Sequence, residues 1–392
     1  MTEQQSGLIL LVKSALTGES YHLPEDLDIA EVFRIAKGHG VDVMAYYGAL
    51  HCGVDTKIPV MREAQMRTYQ SISASEIQMA ETRRVLDAFE AHGIDHMPLK
   101  GVLLKSLYPE TEMRKMGDAD ILIHEERYEP IRSIMKELGF TEKYESDHEF
   151  AWLRKSVCIE LHKRLIPSYN KDYYRYYGDG WKLAKPIEGR AFRYGMDPQD
   201  ELIYLFTHFA KHYRDAGIGI RHFVDFWVYR KHHPELDEGY IRKELTKLQL
   251  LDFYDNIMNT LSVWFENAPG DEKTEFITQF IFTSGEFGKS YNSSISSALK
   301  GAKEGQSVQE VKRNRVFRAL FPRYVVMSRK YRILKKAPVL LPVMWVVRIF
   351  QQMFHMGKLR RFMNERMKVE TSEVSAYQQS LNYVGLDFHF SE

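Results

Sequence analysis

The sequence predicts an α+β protein: a small mixed sheet with helices on one face, flanked by N-terminal and C-terminal helical regions. Three observations predict it. Residues 1–92 read as helix, and residues from Asp197 onward again place apolar side chains at helical spacing. Between them, short aliphatic runs alternate with helix-like segments in the order β-α-β-α-β, a pattern that builds a sheet with helical cover. Gly93, Pro109 and Gly139 fall where the pattern changes.

The elements follow in order. Ala64 to Ala91 runs without Pro or Gly, and Gly93 stops it. Ile94–Lys100 reads as a strand, and Val102–Tyr108 as a helix ended near Pro109. Asp118–Ile123 is a second strand. Glu125–Leu138 is a helix with acidic residues in its first turn, where they favour the helix dipole. Phe140–Tyr144, Glu149–Arg154 and Val157–Leu165 read as antiparallel strands. Asp197-Pro198 supplies an N-cap and a first-turn proline for a helix carrying Leu202, Leu205, Phe206, Phe209 and Tyr213. Arg221–Lys231 and Tyr240–Phe265 continue as helix, and 267–273 and 300–307 read as loops. The division expected is an N-terminal helical region (1–93), a core (94–190), a helical domain (191–310) and a basic, partly apolar segment (311–392).

Composition narrows the class. With 392 residues, 44% hydrophobic and 27% charged, the chain can bury large cores. Two cysteines, Cys52 and Cys158, are too few for a disulfide framework and suit reduced thiols. The first residues lack the basic start of a signal peptide, and no apolar run is long enough to span a membrane. A cytoplasmic protein is expected, with peripheral attachment at the inner membrane face left open. Charge is divided unevenly. Between Lys312 and Lys368 there are sixteen Lys/Arg and one acidic residue, so this segment carries +15 and the rest of the chain −14.

The chemistry concentrates in 98–123. Asp118 and Asp120 are two apart and would project from one face at one end of a strand. Adjacent carboxylates repel unless a cation sits between them, and Mg²⁺ with substrate phosphates is the common case. A third carboxylate should come from a neighbouring strand, flanked by apolar residues; Ile159-Glu160-Leu161 fits. Lys100-Gly101 sits at a strand-to-helix turn, where glycine lets a phosphate approach the backbone and the helix offers free N–H groups. Lys100, Lys105 or Arg114 could meet phosphate charge.

The order Leu99-Lys100-Gly101, Arg114-x-x-x-Asp118-x-Asp120 and Glu160-Leu161-His162 resembles a largely uncharacterised bacterial nucleotidyltransferase family of the polymerase-β-like superfamily. The resemblance covers about residues 60–235, including His208-x-x-x-His212 and Arg221…Asp225, with the tail around 320–355 also similar. It implies a polymerase-β-like nucleotidyltransferase core. Asp118, Asp120 and Glu160 would be the catalytic metal carboxylates of a two-metal Mg²⁺ site. Lys100, Gly101 and Arg114 would bind the NTP, ATP being the expected donor. An NMP would pass to an unidentified acceptor hydroxyl with release of pyrophosphate. The superfamily usually has Gly-Ser where this chain has Lys100-Gly101, and Val102 offers the phosphates no hydroxyl. A non-catalytic nucleotide-binding or scaffold protein, or a phosphotransferase using the same metals, is the alternative.

His162 lies two residues past Glu160 and could support a ligand or act as a general base. His208 and His212 share a helix face. They could bind zinc, close over the substrates, or simply bond to carbonyls. Arg221 and Asp225, also one turn apart, would form an intrahelical ion pair by default. The uncharged stretch Ala337–Val347, with basic flanks and interleaved aromatics, leaves three readings open: docking on the acidic body, an anionic membrane surface through 312–368, and, less favoured, nucleic acid.

Overall fold

A computed structural model describes residues 1–285, 321–322, 324, 327–328, 331, 333–353 and 371–387. The expected loop at 300–307 and most of the basic segment lie outside the described residues.

The chain is helix-rich and mixed α+β. Three helices, α1 (Glu3–Thr17), α2 (Ile29–Gly38) and α3 (Asp42–His51), precede the long α4 (Pro59–Ala91). Pro59 opens α4 at a position where its missing N–H costs nothing, as Pro198 does for a later helix. At 33 residues α4 spans about 50 Å. Its N-terminal half contributes Met61 and Ala64 to one core and its C-terminal half Val85, Leu86 and Phe89 to another.

The sheet is built from β1 (His96–Pro98), β2 (Ala119–Ile123), β3 (Thr141–Glu145), β4 (Glu149–Arg154) and β5 (Val157–His162), in the order β1-β2-β5-β4-β3. The β3–β4–β5 run is antiparallel as expected, and β5 then pairs parallel with β2. That crossover puts Asp120 opposite Glu160. The one-turn helix α5 (Gly101–Leu104) joins β1 to β2, and α6 (Tyr128–Glu137) joins β2 to β3. Ala119, Ile121, Ile123, Ile159 and Leu161 pack with α4 and α6 on one sheet face. Edge strand β3 is exposed throughout and carries Glu142, Lys143 and Glu145, charges that discourage pairing with another chain.

The other face is not bare. Leu122, Leu99 and Leu165 join a larger core shared with the helices that follow α7 (Lys171–Tyr177) and the two-stranded β6 (Lys185–Pro186) and β7 (Tyr194–Gly195). These helices are α8 (Pro198–Asp215), α9 (Ile220–His232), α10 (Glu238–Lys247), α11 (Leu251–Phe265) and α12 (Glu272–Ser284). Beyond them stand α13 (Ile333–Lys336), α14 (Leu341–Met353) and α15 (Thr371–Tyr383). Tyr377 and Leu381 of α15 return to the large core.

Several expectations need correction: the strand at 94–100 shortens to His96–Pro98, that at 157–165 ends at His162, and the helix at 125–138 opens as a 3-10 turn, Glu125–Arg127. The strand at Asp118 begins one residue later, at Ala119. The helix at 102–108 is one α-turn followed by a 3-10 turn, Lys105–Leu107. Asp197 stands at the N-cap of α8, but its side chain makes no cap hydrogen bond and lies 3.8 Å from Lys185 Nζ. The helix at 240–265 is two helices, split at a left-handed Gln249 with φ 56°. Leu248 and Leu250 on either side of that break are buried, so tertiary packing fixes a turn that local spacing does not reveal.

Gly48 lets two helices cross at close range. A Cβ there would lie 1.9 Å from the Leu11 carbonyl oxygen, so α1 and α3 meet backbone to backbone. Because backbone cannot yield as a side chain does, Gly48→Ala should destabilise the protein by about 2–3 kcal/mol or more in denaturant unfolding. A variant as stable as the wild type would mean that the two helices are not in contact at this point.

Candidate active site

A cavity of about 440 Å³ lies between the polar sheet face and helices α8 and α9. Of the residues singled out from the sequence, Lys100, Gly101, Arg114, Asp118, Asp120, Glu160, His162, His208 and His212 line it, as do Arg221 and Asp225, and Lys105 does not. They come from four separate stretches of chain, and the parallel β2–β5 register brings the decisive ones together. Asp120 faces Glu160 across the pair, and Leu122 faces His162. In the next pair, Glu149 faces His162 and Ala151 faces Glu160. One sheet face therefore carries Asp120, Glu160, His162 and Glu149 in adjacent positions.

Asp120, buried, accepts from two cationic or ring donors. Lys100 Nζ donates to its Oδ1 at 3.1 Å, and His162 Nε2 donates to the same oxygen at 2.6 Å. Burial alone would raise the Asp120 pKa, but Lys100 and His162 outweigh it and hold the group well below the usual carboxylate range. Burial would likewise lower the Lys100 pKa, and the Asp120 carboxylate, aided by Asp118, holds it up. Lys100 also has a strained backbone, with φ 46° and ψ −112° at a non-glycine residue. Such a conformation costs about 1–3 kcal/mol and persists only where surroundings enforce it.

Glu160 and Asp118 show the opposite behaviour. Burial first, then the charge of Asp118, with Glu149 and Asp120, pushes Glu160 up to about 7. Tyr144 opposes this by donating to Glu160 Oε1 at 2.7 Å. Burial and the Asp120 charge raise Asp118 in turn. Glu149 is a further carboxylate. The imidazole of His148, 2.7 Å away, overcomes burial and brings Glu149 down to about 2. The sheet face thus holds more negative charge than Lys100 neutralises.

This donor set suits a hard divalent cation. Oxygen or nitrogen atoms of Asp120, Glu160 and His162 lie within 4.8 Å of one another, and Asp118 lines the same cavity outside that trio. His162 itself suits a supporting part. Its Nε2–H serves Asp120, and its Nδ1 is buried with no hydrogen-bond partner. Binding a metal through Nε2 would force the proton onto Nδ1, leaving a buried donor unsatisfied. Burial and Lys100 lower the His162 pKa, consistent with a neutral ring. The carboxylates fit a Mg²⁺-like ion and the imidazole orients one of them.

Arg114 lines the cavity with its charge already paired. It makes no bridge to Asp118 or Asp120. Instead Nε and Nη2 form a bidentate pair with Asp225 of α9, at 2.7 and 3.0 Å, both residues buried. Tyr108 donates to the same Asp225 at 2.7 Å. Asp225 thus pairs with Arg114 from the core, a correction to the intrahelical pair expected with Arg221. Gly101 has a second reason for lacking a side chain: its Cβ would stand 2.6 Å from Met116 Sδ and 2.8 Å from Arg114 Nη1. Lys105 is buried and donates to the Arg114 carbonyl at 2.9 Å; it is no part of the cavity wall.

The opposite wall comes from α8 and α9 and adds Lys211, Arg221 and His222. His208 and His212 meet Nε2 to Nε2 at 3.1 Å. Burial, then Lys100, drives His208 well below its ordinary pKa; burial and Arg221 do the same to His222. Sequence reasoning missed Glu149, His148 and Lys211, which look like ordinary turn and helix-surface residues. Asp225 carried a signal: it is a lone acid within Phe223-Val224-Asp225-Phe226.

Acids, cations and imidazoles from the sheet and from α8 and α9 thus gather around one cavity. The model of a protein family described as "Uncharacterised nucleotidyltransferase" matches residues 25–266. The chain belongs to that family and is a nucleotidyltransferase. No curated protein sequence matches it. Among solved structures, the chain is similar to the solution structure of antibiotic-resistance factor ANT(2'')-Ia. The identity is 12%, with 50% of this chain and 100% of that one covered, at a TM-score of 0.32, too low to carry an argument.

The Arg114–Asp225 pair should behave as one unit. Removing either partner alone strands a buried charge, at a cost of about 3–5 kcal/mol in unfolding free energy. Arg114→Met with Asp225→Leu together should cost clearly less than the sum of the two single changes. Additive costs in that cycle would contradict the pairing.

Proposed function

We propose that this enzyme moves a nucleotidyl group from an NTP to an acceptor hydroxyl, with release of pyrophosphate. The reading treats residues 94–190 as a polymerase-β-like nucleotidyltransferase core, 1–93 and 191–310 as helical regions around it, and α8–α9 as the wall that closes the substrate space. The observation that carries it is the crowding of Asp118, Asp120, Glu149 and Glu160 around one cavity, strong enough to hold Glu160 near pKa 7. Uncompensated carboxylates facing cationic groups suit a triphosphate brought in with its metal.

In this reading Asp118, Asp120 and Glu160 hold Mg²⁺. Two such ions would polarise the α-phosphate and favour the acceptor's alkoxide. The acceptor oxygen bonds to the α-phosphorus while the bond to the oxygen bridging the α- and β-phosphates breaks. Glu160 accepts the hydroxyl proton, and pyrophosphate carries away the leaving charge. Lys100, the Gly101 amide and Arg114 meet phosphate oxygens, and His162 keeps Asp120 oriented. His208 and His212 border the substrate space from α8. ATP is the donor favoured here, and the acceptor is any hydroxyl that fits the remaining cavity.

ATP labelled at either the α- or the γ-phosphate tests this. Incubated with the enzyme, Mg²⁺ and a cell extract as acceptor source, α-label should appear on an acceptor and γ-label only in pyrophosphate. Asp118→Asn should cut the transfer by roughly a thousandfold while leaving the unfolding curve intact, and Asp120→Asn, which also strips buried Lys100 of its partner, should cut it as far and lower the stability too. Transfer of γ-label would make the enzyme a kinase. Binding without transfer would make it a nucleotide-binding scaffold.

A further inference from the structure

The basic C-terminal region takes no part in the site above, yet α14 has an unusual surface. Val339, at 84% exposure, precedes it, and Val343 (56%) and Val346 (53%) follow at one-turn spacings. Pro342 beside them is exposed too. Together they form an aliphatic stripe. The other side of α14 is engaged: Trp345 Nε1 donates to the Pro322 carbonyl at 2.9 Å, and its ring meets Phe321 edge-on at 5.4 Å. That anchoring fixes which face is turned outward.

We infer that this aliphatic face seats α14 on an anionic lipid surface, parallel to the membrane plane. Three features on the page favour a bilayer over other occupants. First, the three exposed valines show that the stripe is not docked on the acidic body of the chain. Second, the surface offered is aliphatic. Single-stranded nucleic acid is gripped by exposed aromatic platforms. Here Trp345 and Phe321 pack on each other, and the Tyr324 hydroxyl donates to the Leu334 carbonyl at 3.0 Å. Third, the stripe lies inside a segment carrying +15. The same stripe of a second copy would bring the same charge and be repelled, whereas anionic headgroups would be attracted. At 13 residues α14 is about 20 Å long, and among the described residues no helix is long and apolar enough to cross a bilayer. An apolar stripe with basic flanks on so short a helix is the pattern of a helix that lies in the interface. This inference does not depend on the proposed reaction.

Vesicle sedimentation with the full-length chain tests it. The protein should pellet with vesicles of equal parts phosphatidylcholine and phosphatidylglycerol, stay in solution with phosphatidylcholine alone, and be released by high salt. The variant Val339→Asp/Val343→Asp/Val346→Asp changes only exposed positions and should lose about tenfold or more of the binding. Its unfolding curve and its ATP binding should match the wild type. Wild-type protein that ignores the anionic vesicles, or a triple variant that pellets as well as wild type, would overturn the inference. So would tight binding of a single-stranded oligonucleotide that the three substitutions leave intact and that occurs without vesicle binding; that result would give the segment to nucleic acid.

Discussion

The parallel pairing of β2 with β5 is the constraint on which the site depends. One register shift would turn Glu160 to the opposite sheet face, among Ile121, Ile159 and the helices α4 and α6. In the observed register, Asp120 and Glu160 lie side by side, and their repulsion has to be absorbed locally. The chain does so unevenly. Lys100 and His162 take Asp120 and keep it ionised, while Glu160 and Asp118 carry the residual strain as raised pKa values. The apolar face of the same two strands, packed on α4 and α6, supplies the burial that holds this unfavourable polar face in place.

A second tie determines what the carboxylates face. The Arg114–Asp225–Tyr108 cluster joins the loop before β2 to α9, and with it the core to the cavity's far wall. A fully hydrogen-bonded buried pair adds little net stability against an apolar substitute, but it specifies geometry because each charge is costly without the other. Gly101 is part of the same tie, since a side chain there would collide with Arg114. The Lys-Gly turn therefore serves packing as well as any phosphate.

Much of this was legible in the sequence, for identifiable reasons. Asp120 and Glu160 on their strands, and Asp118 just before β2, stood out because carboxylates beside or inside aliphatic runs are expensive unless used. Gly93 and Gly139, at φ 66° and 80°, end their helices where the pattern broke. What the sequence hid was long-range. It gave no sign that Arg114 would choose an acid 111 residues away over the neighbouring aspartates. The break at Gln249 depends on the burial of Leu248 and Leu250, and the supporting part of Glu149 depends on cross-strand register. Neither is a property of local spacing.

The central claim is that Asp118, Asp120 and Glu160 together grip a divalent cation. Because a cation binds the ionised form, it must drive off the proton that Glu160, with a pKa of about 7, still carries in its absence. Calorimetric titration of Mg²⁺ into the protein, in buffers of different ionisation enthalpy, counts that proton directly. Release should approach one proton per site at about pH 6, fall through about half near pH 7, and vanish at about pH 9. The Glu160→Gln protein should release none. Binding of Mg²⁺ with no proton release at any of these values, or release unchanged in the variant, would contradict the account.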